Sequence, residues 1–115
     1  MAFGKIKYNN QVLYQVHCIN ADITATYTAF TTSLIKRRYV HHKEIDHPNN
    51  RFYNTPMSEY IRNNGGWKNW AVTQIKNLSH CSTFEECLAE QAENMKTKDS
   101  YLNLIRPSRR EKLVV

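Results

Sequence analysis

Val12-Leu13-Tyr14-Gln15-Val16-His17-Cys18 and, after a polar break, Thr24-Ala25-Thr26-Tyr27-Thr28-Ala29-Phe30 decide the fold. The first run alternates with a period of two, Val12, Tyr14, Val16 and Cys18 on one face and Leu13, Gln15 and His17 on the other. Such a pattern of β-formers predicts a strand. Asn20, Ala21 and Asp22 supply turn chemistry between the runs. The second run is again β-branched and aromatic, so the pair reads as an antiparallel hairpin.

Downstream the period changes. Leu34, Ile35, Arg38 and the Arg37/His41 pair recur at steps of three and four, which predicts a helix to about Glu44, capped by Thr31 or Thr32. His47-Pro48-Asn49-Asn50 interrupts it as a polar loop. Thr55-Pro56 opens a second helix with Pro at its first position, and Gly65-Gly66 closes it. Trp67 to Leu78 alternates around Trp70 and Val72 and predicts a third strand. Thr83 with Glu86 is a capping-box pattern for a last helix, whose Phe84, Leu88, Gln91/Ala92 and Met95 share a face until about Lys98. Tyr101 to Ile105 is a brief apolar run. The expected class is α+β: a small three-stranded mixed or antiparallel sheet flanked by three helices, in the order β-β-α-α-β-α. Residues 1–107 form one expected domain and 108–115 a mobile basic tail.

The chain has 115 residues, of which 41% are hydrophobic, so it can bury a core and wholesale disorder is excluded. No apolar run reaches the ~20 residues of a membrane-spanning helix. The first residues lack a secretory signal, and Cys18, Cys81 and Cys87 are an odd number without a CxxC or a Cys/His cluster at zinc spacing. An intracellular protein with free thiols, cytoplasmic or nuclear, is the expectation. Sixteen Lys and Arg against 10 Asp and Glu leave a net charge of +6. That surplus favours an acidic partner, most commonly nucleic acid, although it can serve solubility alone.

No P-loop, HExxH or GxSxG motif occurs, which removes P-loop NTPases, common zincins and serine hydrolases. Tyr residues in strands are most often packing residues, and Arg37, Arg38, His41 and His42 on one helix are ordinarily a solvated face. Tyr14, Tyr27, an Arg-x-x-x-His pair and a later acid-rich helix nevertheless supply the parts of a phosphodiester cut. That reaction needs a base for the nucleophile, a cation at the phosphate, and an acid or metal for the leaving oxygen.

In order and spacing, several stretches resemble a GIY-YIG nuclease domain. They are Val12-Leu13-Tyr14, Tyr27-Thr28-Ala29, Thr31-Thr32-Ser33-Leu34, Lys36-Arg37-Arg38 with His41, and Tyr60-Ile61-Arg62. Gly65-Gly66-Trp67-Lys68-Asn69-Trp70 and Leu102-Asn103-Leu104-Ile105-Arg106-Pro107 are most similar to small stand-alone members from viruses. The resemblance spans roughly residues 12–107 and implies metal-dependent hydrolysis of DNA around a single Mg²⁺ or Mn²⁺. It implies that Tyr14 helps deprotonate the attacking water and that Tyr27 borders the same site. Arg37 would stabilise charge on the phosphate, His41 would orient or assist the nucleophile, and Asn103 would brace the site.

Three departures qualify the match. Val12 and Ala29 stand where the family has Gly, with Phe30 after Ala29 where a small polar residue is usual. Thirdly, an ungapped count from Asn103 puts Gln91, not the adjacent Glu90, at the position of the metal-binding Glu. Helical phase agrees, since Gln91 lies near the Leu88/Met95 face and Glu90 turns towards solvent. Either Glu90 binds the metal after a one-residue slip, or Gln91 occupies the site and cleavage is weakened, because Mg²⁺ prefers carboxylate oxygen. Lys36, Arg38, Arg106, Arg109, Arg110 and Lys112 are the expected phosphate-holding cations, binding without reading sequence. No separate DNA-reading domain is expected, so specificity would have to come from a dimer or a partner. The alternatives are a non-catalytic nucleic-acid-binding module on the same scaffold, or a partner-binding domain whose charge serves solubility.

Overall fold

The chain's structure, a computed structural model, describes residues 10–106. Arg109, Arg110 and Lys112, and with them the expected basic tail, lie outside the described residues. Three strands, β1 (Val12–Cys18), β2 (Thr26–Thr31) and β3 (Trp70–Asn77), form one antiparallel sheet in the order β2-β1-β3. Four helices accompany it: α1 (Leu34–Asp46), α2 (Pro56–Asn63), α3 (Phe84–Met95) and α4 (Tyr101–Ile105). The class is therefore α+β, with one helix more than the three expected. Tyr101–Ile105 closes as a helical turn with Leu102 pointing into the core. No helix among the described residues is long and apolar enough to cross a membrane.

The hairpin has the expected phase, with Val16 opposite Tyr27 and Tyr14 opposite Ala29. Tyr14, Val16 and Cys18 join Trp70 and Val72 in one apolar layer, against which Ile45 of α1, Met57 and Ile61 of α2 and Leu102 of α4 pack. Leu13, on the other face, is equally buried, in a smaller cluster with Leu78, Cys81 and Cys87. A register shift between Leu13 and Tyr14 leaves Ile75 as an extra residue on β3, since Leu13 faces Lys76 and Tyr14 faces Gln74. This bulge turns Ile75 towards the Leu13 cluster and ends the simple alternation expected from Trp70 onwards.

Local chemistry sets the helix ends. Ser33, not Thr31 or Thr32, caps α1 by accepting from the Lys36 N–H, because the Thr31 hydroxyl is already bonded to the Ser33 backbone. Thr55 caps α2 with Pro56 behind it, and Thr83 with Glu86 closes a reciprocal capping box on α3. The only buried residue of α3 is Cys87, while Leu88, on the stripe expected to face the core, is 40% exposed.

Gly65 and Gly66 end α2 with φ of +106° and +77°, and the Gly66 N–H returns to the Ile61 carbonyl at 2.9 Å. A Cβ on Gly65 would lie 2.9 Å from Asn69 Nδ2, whereas one on Gly66 would meet nothing. Gly66→Ala is expected to cost about 1 kcal/mol for its backbone alone, and Gly65→Ala about 2 kcal/mol. Urea midpoints of the two variants measure this, and equal losses would refute the role given to Asn69.

Candidate active site

Tyr14 projects from the central strand into an entirely buried position, which brings its hydroxyl against α1. Its oxygen lies 2.9 Å from His41 Nε2 and accepts from Arg37 Nε at 3.2 Å. Arg37 and His41 sit one helical turn apart, so both side chains leave α1 towards the same phenol. His41 is fully buried, with the Tyr27 ring edge-on to it at 5.6 Å. Behind it, Nδ1 lies 3.1 Å from Glu44 Oε1. Arg106 forks onto both oxygens of Glu44 at 3.0 Å each, and its guanidinium lies over the Tyr27 and Phe52 rings.

The electrostatics assign the protons. Burial pushes the Glu44 carboxyl up, but the hydrogen bonds from His41 and Arg106 outweigh this and hold it at about 2. Glu44 is therefore ionised and accepts at His41 Nδ1. Burial lowers the His41 pKa against the pull of Glu44, so the imidazole is neutral at pH 7 with its proton on Nδ1. That leaves the Nε2 lone pair to accept from the Tyr14 hydroxyl. Burial, helped by Tyr27 and opposed by Arg37, pushes Tyr14 up to about 12. The result is an aligned Tyr14–His41–Glu44 relay.

Tyr14, Tyr27, Arg37 and Asn103 line a cavity of about 720 Å³, with His41 directly behind Tyr14. Asn103 reaches it by binding the exposed edge of β2, its amide accepting from the Thr28 N–H and donating to the Thr28 carbonyl, both at 2.8 Å. That double bond fixes the backbone next to Tyr27 and covers the strand edge. From the other side α3 brings Leu88 and Gln91 to the cavity wall. Glu90 points elsewhere, pairing with Lys76 at 2.6 Å and His80 at 2.9 Å.

The cations divide differently from the sequence expectation. Arg106 is not a free cation for phosphate: its side chain is 12% exposed and committed to Glu44. Lys36 and Arg38 are exposed on α1 outside the cavity lining, and Arg38 donates to the Val72 carbonyl at 3.0 Å. Sequence reasoning missed Arg51, which lines the cavity from the loop before α2 and lies over the Phe52 ring at 4.9 Å. It also missed Glu44. The Glu three residues after His41 was a visible signal, because that spacing puts both side chains on one helix face.

A Mg²⁺ or Mn²⁺ ion fits this cavity poorly. Its one lining carboxylate among the described residues is Glu44, whose oxygens are taken by His41 and Arg106. Gln91 offers only a neutral amide oxygen, a weak ligand for a hard cation. No family model, curated protein or solved structure matches the chain.

Proposed function

We propose that the chain holds a DNA phosphodiester in this cavity and hydrolyses it slowly, as an attenuated endonuclease of the GIY-YIG type. One observation carries the reading: Tyr14, Tyr27, Arg37 and Asn103, from four separate elements, line one cavity with the relay behind Tyr14. A phenol held at about 12 is protonated at pH 7 and is no base by itself. It becomes one by passing its proton on. Water gives a proton to the Tyr14 oxygen as Tyr14 gives its own to His41 Nε2, and Glu44 stabilises the imidazolium that forms. The hydroxide attacks phosphorus, the bond to the leaving oxygen breaks, and solvent protonates that oxygen. Arg37, beside Tyr14, offsets the negative charge gathering on the phosphate. Contacts of this kind read phosphate and not base, so cutting has little sequence preference.

Plasmid nicking tests this. Arg37→Ala and Tyr14→Phe are each expected to lower the rate by about 10²-fold or more, the range for losing a charge stabiliser or a general base. Nicking that is indifferent to both variants would dismiss the site. The second reading, a binding module without catalysis, is favoured by the neutral Gln91 and the engaged Glu44. It predicts salt-sensitive DNA binding, weakened by Arg37→Ala, with no nicking by any form of the protein.

A further inference from the structure

His80, Cys81 and Glu90 bring an imidazole, a thiol and a carboxylate together away from the cavity, with their ligand atoms all within 4.8 Å of one another. We infer that these three side chains bind a thiophilic divalent ion of the Zn²⁺ class. Two of the three separations are close to those of such a site, and the third lies within 4.8 Å. Cys81 Sγ lies 3.5 Å from His80 Nε2, against about 3.6 Å for the sulfur–nitrogen edge of a tetrahedral zinc site. His80 Nε2 and Glu90 Oε2 are 2.9 Å apart and need open only a few tenths of an ångström towards the ~3.3 Å edge.

The surroundings support ligation as well. Lys76 Nζ holds the other oxygen, Glu90 Oε1, at 2.6 Å, which leaves Oε2 directed at the cluster. Cys87, fully buried, packs with Cys81 in the cluster that holds Leu13 and Leu78. Ligands with such outer partners are held in orientation before the metal arrives. His80 is 54% exposed and leaves the ion a way in from solvent, which completes the coordination. On binding, Cys81 loses its proton to solvent and ligates as thiolate. A sulfur, a nitrogen and an oxygen select zinc-like ions over Mg²⁺, which asks for oxygen alone. The bound ion would tie the loop between β3 and α3 to the helix that carries Leu88 and Gln91 to the cavity. This inference stands apart from the proposed hydrolysis and survives if that reading fails.

Cobalt titration of the full chain under reducing conditions tests it. Co²⁺ is expected to produce a thiolate-to-cobalt charge-transfer band that saturates at one equivalent and is displaced by Zn²⁺. Cys81→Ser should abolish the band, and Cys18→Ser should keep it. His80→Ala and Glu90→Gln, at accessible positions that leave the fold intact by circular dichroism, should each weaken cobalt binding about 10-fold or more. No charge-transfer band, or a band that neither His80→Ala nor Glu90→Gln affects, would overturn the site even if Cys81→Ser fails to fold.

Discussion

Gln91→Glu is expected to raise DNA nicking in Mg²⁺ by on the order of 10²-fold, a gain that EDTA removes. The substitution keeps the shape of the side chain and changes a neutral amide into a carboxylate in the lining of the cavity that also holds Tyr14 and Arg37. A divalent ion then has an anionic oxygen facing the site, which the natural cavity denies it because Glu44 is committed elsewhere. The control is Ala92→Glu, which adds the same charge at an exposed neighbour and is expected to leave the rate unchanged. A gain in both variants would reduce the effect to general electrostatics. No gain at Gln91 would remove the metal position from the reading altogether.

Glu44→Gln is expected to destabilise the fold by about 3–5 kcal/mol, the penalty for stranding a buried charge. The stranded group is Arg106, whose side chain is 12% exposed and makes two bonds to the carboxylate. Arg106→Met in the Glu44→Gln background should recover much of the loss, since the pair couples and a neutral pair needs no compensation. The same carboxylate makes the fold acid-labile. Its pKa falls from 4.5 to about 2 on folding, a contribution of about 3 kcal/mol that is complete above 4.5 and disappears as pH drops towards 2. His41 adds to the trend: its folded pKa is lowered, so the unfolded chain takes up its proton first and stability begins to decline below about 6.5. Urea unfolding at pH 7, 5 and 3 reads both effects. A loss under 1 kcal/mol for Glu44→Gln at pH 7 would mean that Arg106 finds solvent without it.

The candidate site was partly legible before any coordinates. Tyr14 and Tyr27 could be placed on adjacent strands of a hairpin, and Arg37 and His41 share a helix face by simple spacing, but the register that puts both phenols on one face came from the structure. Asn103 could be singled out only through the resemblance, because nothing in a short apolar run reveals that its amide will pair with the Thr28 backbone 75 residues away. Arg106 was read as a phosphate-holding cation for the same reason. A lone Arg beside Pro looks solvated until a buried carboxylate from another helix comes within 3.0 Å. The Leu88 stripe misled differently, since a moment on α3 shows which residues lie together but not whether they meet a core or a cavity wall.

What the order of residues determined by itself was local: the hairpin phase, the caps at Thr55 and Thr83, the glycine stop after α2 and the register that turns Gln91 away from Glu90. Each depends on backbone geometry or on neighbours within one or two helical turns. Only the tertiary structure decided that β1 is central, that Ile75 bulges, that Glu44 lies under His41 and Arg106, and that Glu90 joins His80 and Cys81. Those outcomes depend on which surfaces exclude water together: burial keeps the proton on Tyr14 and holds His41 neutral, while His41 and Arg106 keep Glu44 ionised against it.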